Sequence, residues 1–149
     1  MNHFRPICLS LSLCVCLVAC GGSDPVGPGG DTGGGTRTIK ANPAFAADIV
    51  EIFVRRGCTA GSCHGGGAGS LTLTANASTS RSQLVGVESP VSGEIRVIAN
   101  DAANSYLVKK LEGTQGSGNG DRMPRSGSAL DNIDLTNIKN WINTGAPNN

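Results

Sequence analysis

The sequence is poor in aromatic side chains, with three Phe, one Tyr and one Trp among its 149 residues. One of them, Phe4, lies close to the N-terminus, so four are left for the rest of the chain. A small domain with so few large apolar side chains has a thin hydrophobic core. We therefore expect the folded part to depend on a covalent cross-link or on a large bound apolar group.

The chain also lacks an excess of charge of either sign. Its 12 Lys and Arg residues nearly balance 11 Asp and Glu residues, giving a formal net charge of +1. The sequence has no basic stripe, which argues against nucleic acid as a partner. It has no acidic block of the kind found in interaction tails. Charge therefore says little about which proteins it contacts.

The N-terminal 19 residues have the pattern of a secretory signal peptide, with Arg5 followed by the apolar run 7–19. That run is shorter than the roughly 20 residues of a membrane-spanning helix. It ends in the letters LVACG, which resemble a bacterial lipobox with Cys20 as the lipidated residue. An ordinary signal peptide with an incidental cysteine is the alternative. We predict a lipoprotein signal peptide over residues 1–19 and membrane attachment through lipid on Cys20.

A glycine-rich segment follows Cys20 and extends to about Thr38. It holds two prolines and no apolar periodicity, which predicts a flexible linker over residues 20–38. The folded domain is then expected over residues 39–149. Gly21, rather than Asp, follows the lipidated cysteine, and this favours the outer membrane of a bacterial cell envelope, with the domain facing the periplasm.

Most of the six cysteines belong to the predicted targeting segment: Cys8, Cys14, Cys16 and Cys20. Cys58 and Cys63 are then the only thiols of the exported domain. An exported protein meets an oxidising compartment, where two such cysteines pair with each other or bind another group.

Helical spacing of apolar residues predicts a mainly helical, all-α domain. The expected helices are 43–56, 78–85, 102–111 and 132–143. Gly57 is expected to end the first helix and Asp131 to cap the last. Short extended pieces are expected at 70–74 and 95–98. The glycine-rich loop 113–128 is long enough to be either functional or disordered.

The segment that carries chemistry is Cys58 to His64, with the letters CTAGSCH. Cys-x-x-Cys-His is the attachment signal for c-type haem. In that signal, two thiols add across the haem vinyl groups and the adjacent histidine binds iron. Here four small residues, rather than two, separate Cys58 and Cys63, and a bulged turn can keep both sulfurs at vinyl spacing. The motif predicts one covalent haem c with His64 as the proximal ligand.

Three other interpretations of these residues remain open. A disulfide between Cys58 and Cys63 is sterically possible in an oxidising compartment. A structural zinc ion needs four ligands, whereas the exported chain offers these two thiols and His64. The thiols can also be inert.

The mature chain offers few side chains that could be the distal iron ligand. Because His3 and Met1 belong to the signal peptide, His64 and Met123 are the only histidine and methionine of the mature chain. A six-coordinate haem would use Met123, a less usual group such as a lysine, or no distal side chain. Met123 lies in the loop 113–128, and a thioether ligand raises the reduction potential of haem iron.

From Ala44 to Pro147 the chain resembles a class I cytochrome c domain, and it is similar to the single-haem, planctomycete-type domains of bacterial lipoproteins. Besides the cysteine motif, four stretches carry the resemblance in the right order: LVGV at 84–87, SYLVKKL at 105–111, RMP at 122–124 and WINTGAP at 141–147. The resemblance implies a three-helix core around a covalent haem, with long glycine-rich loops. It also implies that Cys58 and Cys63 hold the haem, with His64 proximal and Met123 distal.

These expectations combine into a membrane-anchored monohaem c-type cytochrome that exchanges electrons with unidentified redox partner proteins and is not an enzyme. One alternative is a haem sensor or a peroxidase-like protein with a labile distal ligand. For that role, Arg122 or Arg125 would have to supply distal acid–base chemistry. The other alternative is a haem-free binding module of a lipoprotein, held by a disulfide.

Overall fold

The computed structural model of the chain describes residues 36–125 and 127–149. The predicted signal peptide, the lipidation site Cys20 and the linker up to residue 35 lie outside these residues. Across the described residues the regular structure is helical, with three isolated β-bridges and no strand. The all-α class expected from the sequence is confirmed for this part of the chain. No helix within it is both long and apolar enough to cross a membrane.

Four α-helices and several shorter helical turns make up the described part. The helices are α1 (Val50–Arg55), α2 (Ala77–Ser82), α3 (Tyr106–Glu112) and α4 (Asn132–Asn143). A π-helical turn, Phe45–Ile49, leads directly into α1. Two 3₁₀ turns, His64–Gly66 and Ala68–Ser70, follow the cysteine motif.

The first helical stretch stops where the sequence predicts, at a glycine. Gly57 has a φ of 72°, in the left-handed region that favours glycine at the end of a helix. The Cys58 N–H donates to the Phe53 carbonyl at 2.8 Å. The chain therefore enters the cysteine motif directly from the helix end, and Cys58 is held against α1.

Helix α3 begins later than its sequence predicts, at Tyr106 rather than Ala102. The reason is a turn made by side chains just before it. Asp101 Oδ1 accepts the Asn104 N–H at 3.1 Å, and the Ser105 hydroxyl donates to the Asp101 carbonyl at 2.7 Å. Short polar side chains of this kind compete with the helix for backbone groups. The predicted start at Ala102 is therefore wrong.

Helix α4 has the bounds expected from the sequence. Its N-cap, Asp131, accepts the Asp134 N–H at 3.0 Å. Burial tends to raise the pKa of Asp131, but that N–H bond and the ion pair with Arg37 lower it below its ordinary value. Charge and hydrogen bonding at the cap thus stabilise the start of α4 at neutral pH.

The hydrophobic core lies where the first helical stretch meets α4. The rings of Phe45 and Trp141 are 4.7 Å apart between centroids, and Phe53 meets Phe45 edge-on at 6.4 Å. All three side chains are at least 98% buried. Burying a large apolar side chain contributes about 1.5–3 kcal/mol, so these three rings carry a large share of the core.

A charged cluster joins the same two helices on another side. The buried Asp134 of α4 accepts hydrogen bonds from Arg55 of α1 at 2.8 Å and from Arg37 at 3.0 Å. Arg37 falls within the linker predicted from the sequence. Its ion pairs with Asp131 and Asp134 tie the last linker residues to the helical domain.

Candidate functional site

A cavity of about 340 Å³ opens between the cysteine motif, helix α3 and the loop 113–128. Three of the residues predicted to form the site line it together: Cys58, His64 and Met123. Much of the remaining wall is apolar, from Phe53, Leu71, Leu73, Leu84, Tyr106, Leu107 and Leu111. An apolar cavity with a few polar groups is typical of a cofactor site.

The Cys58 thiol is half-buried against the hydrophobic core. Burial raises its pKa to about 11, and the neighbouring Cys63 contributes in the same direction. Because the charged form is disfavoured in an apolar setting, Cys58 is a protonated thiol at neutral pH. It is held at the cavity wall and is chemically quiet there.

Cys63 is half-buried and is not among the residues that line the cavity. It belongs to the same turn as Cys58, because the His64 N–H that follows it donates to the Cys58 carbonyl at 3.1 Å. The two cysteines are both free thiols and are not joined to each other. The structure therefore brings one predicted attachment residue to the cavity and keeps the other in the adjoining turn.

The His64 ring is oriented by a hydrogen bond between its Nδ1 and the Ala68 carbonyl, at 2.8 Å. A carbonyl oxygen only accepts, so Nδ1 carries the hydrogen and Nε2 has the free lone pair. The 3₁₀ turn after His64 makes this contact possible by folding the chain back at Gly67, whose φ is 80°. Histidines that bind a metal through one ring nitrogen typically donate a hydrogen bond from the other, as Nδ1 does here.

Met123 is half-buried and packs against the hydrophobic core. Its N–H donates to the carbonyl of Lys110, in α3, at 2.8 Å. The loop before it is also fastened to α3, because the Tyr106 hydroxyl and Lys110 Nζ both donate to the Asn119 carbonyl, at 2.9 and 3.0 Å. Lys110 Nζ donates to the Asp121 carbonyl as well. The loop 113–128 is therefore anchored to α3 at Asn119, Asp121 and Met123.

Sequence analysis did not predict a structural role for Lys110, which fastens the loop 113–128 to α3. Burial lowers its pKa, while the nearby Asp121 opposes that shift. Its Nζ also lies 5.9 Å from the centre of the Tyr106 ring. The spacing of four residues between Tyr106 and Lys110 was the available signal, because it places both on one side of a helix.

A buried arginine on the cavity wall was also missed. Arg96 is only 6% exposed and donates to the carbonyls of Gln83 at 2.9 Å and Ser70 at 2.8 Å. Burial lowers its pKa. Across residues 36–125 and 127–149, no carboxylate forms an ion pair with it. Its sequence signal was a lone positive charge in the apolar run 95–98.

Protein groups alone do not make a metal site in the described part of the chain, which holds no cluster of three or more His, Cys, Asp or Glu side chains suited to an ion. No protein-family model, curated protein or solved structure matches the sequence.

Proposed function

We propose that the protein is a membrane-anchored monohaem c-type cytochrome that transfers electrons in the cell envelope. The observation that carries this proposal is the shared cavity of Cys58, His64 and Met123. The first two are close in sequence, but Met123 comes from a distant loop. An imidazole and a thioether are the iron ligands of a class I cytochrome c, and a thiol beside them suits one of its two covalent attachment points.

The cysteines supply the covalent attachment in this proposal. Cys58 and Cys63 would hold haem through thioethers, since a thiol can add across a vinyl group with its hydrogen taken up by the second carbon and no leaving group. The apolar wall of the cavity suits a porphyrin plate, whose burial adds the hydrophobic area that the core lacks.

His64 and Met123 would be the two side chains that bind the haem iron. His64 offers Nε2, because its Nδ1 already donates to the Ala68 carbonyl. Met123 offers a thioether sulfur from a loop that α3 holds in place. A bound haem supplies a one-electron change between ferric and ferrous iron. With both of these side chains bound to the iron, no site would be left on it for a substrate, which favours electron transfer over catalysis.

The positive charge of Arg96 also favours haem as the occupant of the cavity. A buried guanidinium without a carboxylate partner is costly, and an anionic group in the cavity would offset that cost. Haem carries two carboxylates. We assign Arg96, already held by the Gln83 and Ser70 carbonyls, as the counter-charge for that end of the group.

The direct test is the pyridine haemochrome spectrum of the purified protein, expressed with haem-maturation genes. We expect the spectrum of haem c in a one-to-one ratio with the chain, and a haem that stays on the chain in a denaturing gel. The Cys58→Ser and Cys63→Ser variants should each retain at most one thioether. A colourless chain with a Cys58–Cys63 disulfide would contradict the proposal.

The distal assignment predicts a specific spectral change in Met123→Ala. The far-red sulfur-to-iron band of the ferric protein should disappear, the reduction potential should fall, and the ferrous form should bind carbon monoxide readily. Ser128→Ala, an exposed change in the same loop, is the matched control and should keep the band. If Met123→Ala keeps the band as well, Met123 is not the distal ligand.

A further inference from the structure

The four residues between the two cysteines form an ordered bulge that is bonded to the chain beyond it. The Ala60 carbonyl accepts the Cys63 N–H at 2.9 Å and the Gly65 N–H at 3.0 Å. The Ala60 N–H in turn donates to the Gly57 carbonyl at 3.1 Å. The two additional residues of the motif therefore belong to a turn that is closed by backbone hydrogen bonds.

This closure leaves no space for a side chain at Gly65 or Gly66. A Cβ atom on Gly65 would overlap the Thr59 carbonyl oxygen and lie 2.9 Å from that of Ala60. A Cβ atom on Gly66 would overlap the Gly61 carbonyl oxygen. The obstacles are backbone atoms, which cannot rotate away as a side chain can. Neither glycine has a positive φ, so the requirement is for space and not for a special conformation.

We propose that Gly65 and Gly66 are positioning residues that make the widened motif competent for haem attachment. The carbonyls of the bulge rest against their Cα atoms, and this lets Cys63 and His64 close back onto the Cys58 turn. With a side chain at Gly65, the bulge must open, and both bonds to the Ala60 carbonyl are lost. The second thiol and the imidazole would then leave their places beside the first thiol. This inference rests on the proposed function.

The test compares Gly65→Ala and Gly66→Ala with Gly61→Ala, all made in the full chain and expressed with haem-maturation genes. Gly61 is the matched control, because a Cβ atom there meets nothing within 4 Å. The readout is covalent haem per chain, with circular dichroism to report the helices. We expect helical chains in which Gly65→Ala and Gly66→Ala lose about tenfold or more of the covalent haem, as overpacking predicts. Gly61→Ala should match the parent.

A rescue experiment separates loop closure from a general need for glycine. Deletion of Thr59 and Ala60 shortens the motif to Cys-x-x-Cys-His and removes both carbonyls that a Gly65 side chain would meet. In this shortened chain, Gly65→Ala should carry as much haem as its shortened parent.

Two results would overturn the inference: full haem content in Gly65→Ala of the unshortened chain, or no rescue in the shortened one. A colourless parent chain would instead contradict the proposed function itself.

Discussion

Cys58 is a residue whose surroundings change its reactivity. The thiol packs against the core, and its pKa is about 11 because burial disfavours the thiolate. In the exported cytochrome that we propose, a thiolate would react with any available disulfide or oxidant. The suppressed thiolate would keep Cys58 available as a thiol for the proposed haem attachment.

The raised pKa predicts a slow alkylation of Cys58 in the haem-free chain. Since pH 8 is three units below about 11, only ~0.1% of this thiol is ionised there. The rate of reaction with iodoacetamide should rise with pH and reach half its maximum near pH 11. It can be measured by mass spectrometry in Cys63→Ser, while unfolded chain provides the ordinary thiol as the control. A midpoint near pH 9 in the folded chain would contradict the burial.

The same shift links stability to pH. Between pH 9 and about 11, the folded chain keeps the Cys58 proton, whereas the unfolded chain releases it. The free energy of unfolding of the haem-free protein should therefore fall as pH rises through this window. In Cys58→Ser this contribution should be missing.

At the scale of elements, α3 and the loop after it act as one unit. The loop has many glycines and few apolar residues, which gives it little packing of its own. Tyr106 and Lys110 fasten it to α3, because their side chains donate to the Asn119 and Asp121 carbonyls. The position of Met123 therefore depends on a helix that precedes it in the sequence.

Because Lys110 holds the loop 113–128, we expect Lys110→Met to loosen that loop. Hydrogen bonds from a charged donor are worth about 1.5–3 kcal/mol, so amide hydrogen exchange over residues 116–123 should speed up by about tenfold or more. The matched control is Lys139→Met, which removes a partly exposed ion pair with Glu112 and should leave this exchange unchanged. Equal exchange in the two variants would show that Lys110 does not hold the loop.

Local pattern predicted the elements better than it predicted their contacts. The bounds of α4, the stop at Gly57 and the Cys58–His64 motif all depend on neighbouring residues, and they could be read from the sequence. The start of α3 was missed because Asp101 and Ser105 form a turn that outweighs helical spacing. Arg96 and Lys110 were missed because their partners are distant in sequence or are backbone carbonyls, which leave no trace in residue type.

At the scale of the whole molecule, one aromatic cluster joins the two ends of the domain. Trp141 of α4 packs on Phe45, and its Nε1–H donates to the Pro147 carbonyl at 3.0 Å. The terminal Asn149 reaches the same place, where its side chain accepts the Phe45 N–H at 2.9 Å. The helix that leads into the cysteine motif is therefore stabilised by the last residues of the chain.

This arrangement predicts a global effect of Trp141→Ala. Removing a fully buried tryptophan should cost about 3–5 kcal/mol of the free energy of unfolding. Chemical denaturation followed by circular dichroism measures the cost. Ile39→Ala is the control, because Ile39 is about half exposed and should change stability by roughly 0.5 kcal/mol or less. If Trp141→Ala lowers the free energy of unfolding by less than Ile39→Ala does, Trp141 is not part of the hydrophobic core.

The hydrogen bond from His64 Nδ1 to the Ala68 carbonyl does not depend on which amino acid occupies position 68. Its acceptor is a main-chain oxygen, which every amino acid supplies, so replacement of the alanine leaves the contact in place. A donated Nδ1–H makes the opposite nitrogen more basic and the histidine a stronger electron donor to iron. In the proposed haem site, this influence on the iron would survive substitution of residue 68, and only a change in the path of the backbone would remove it.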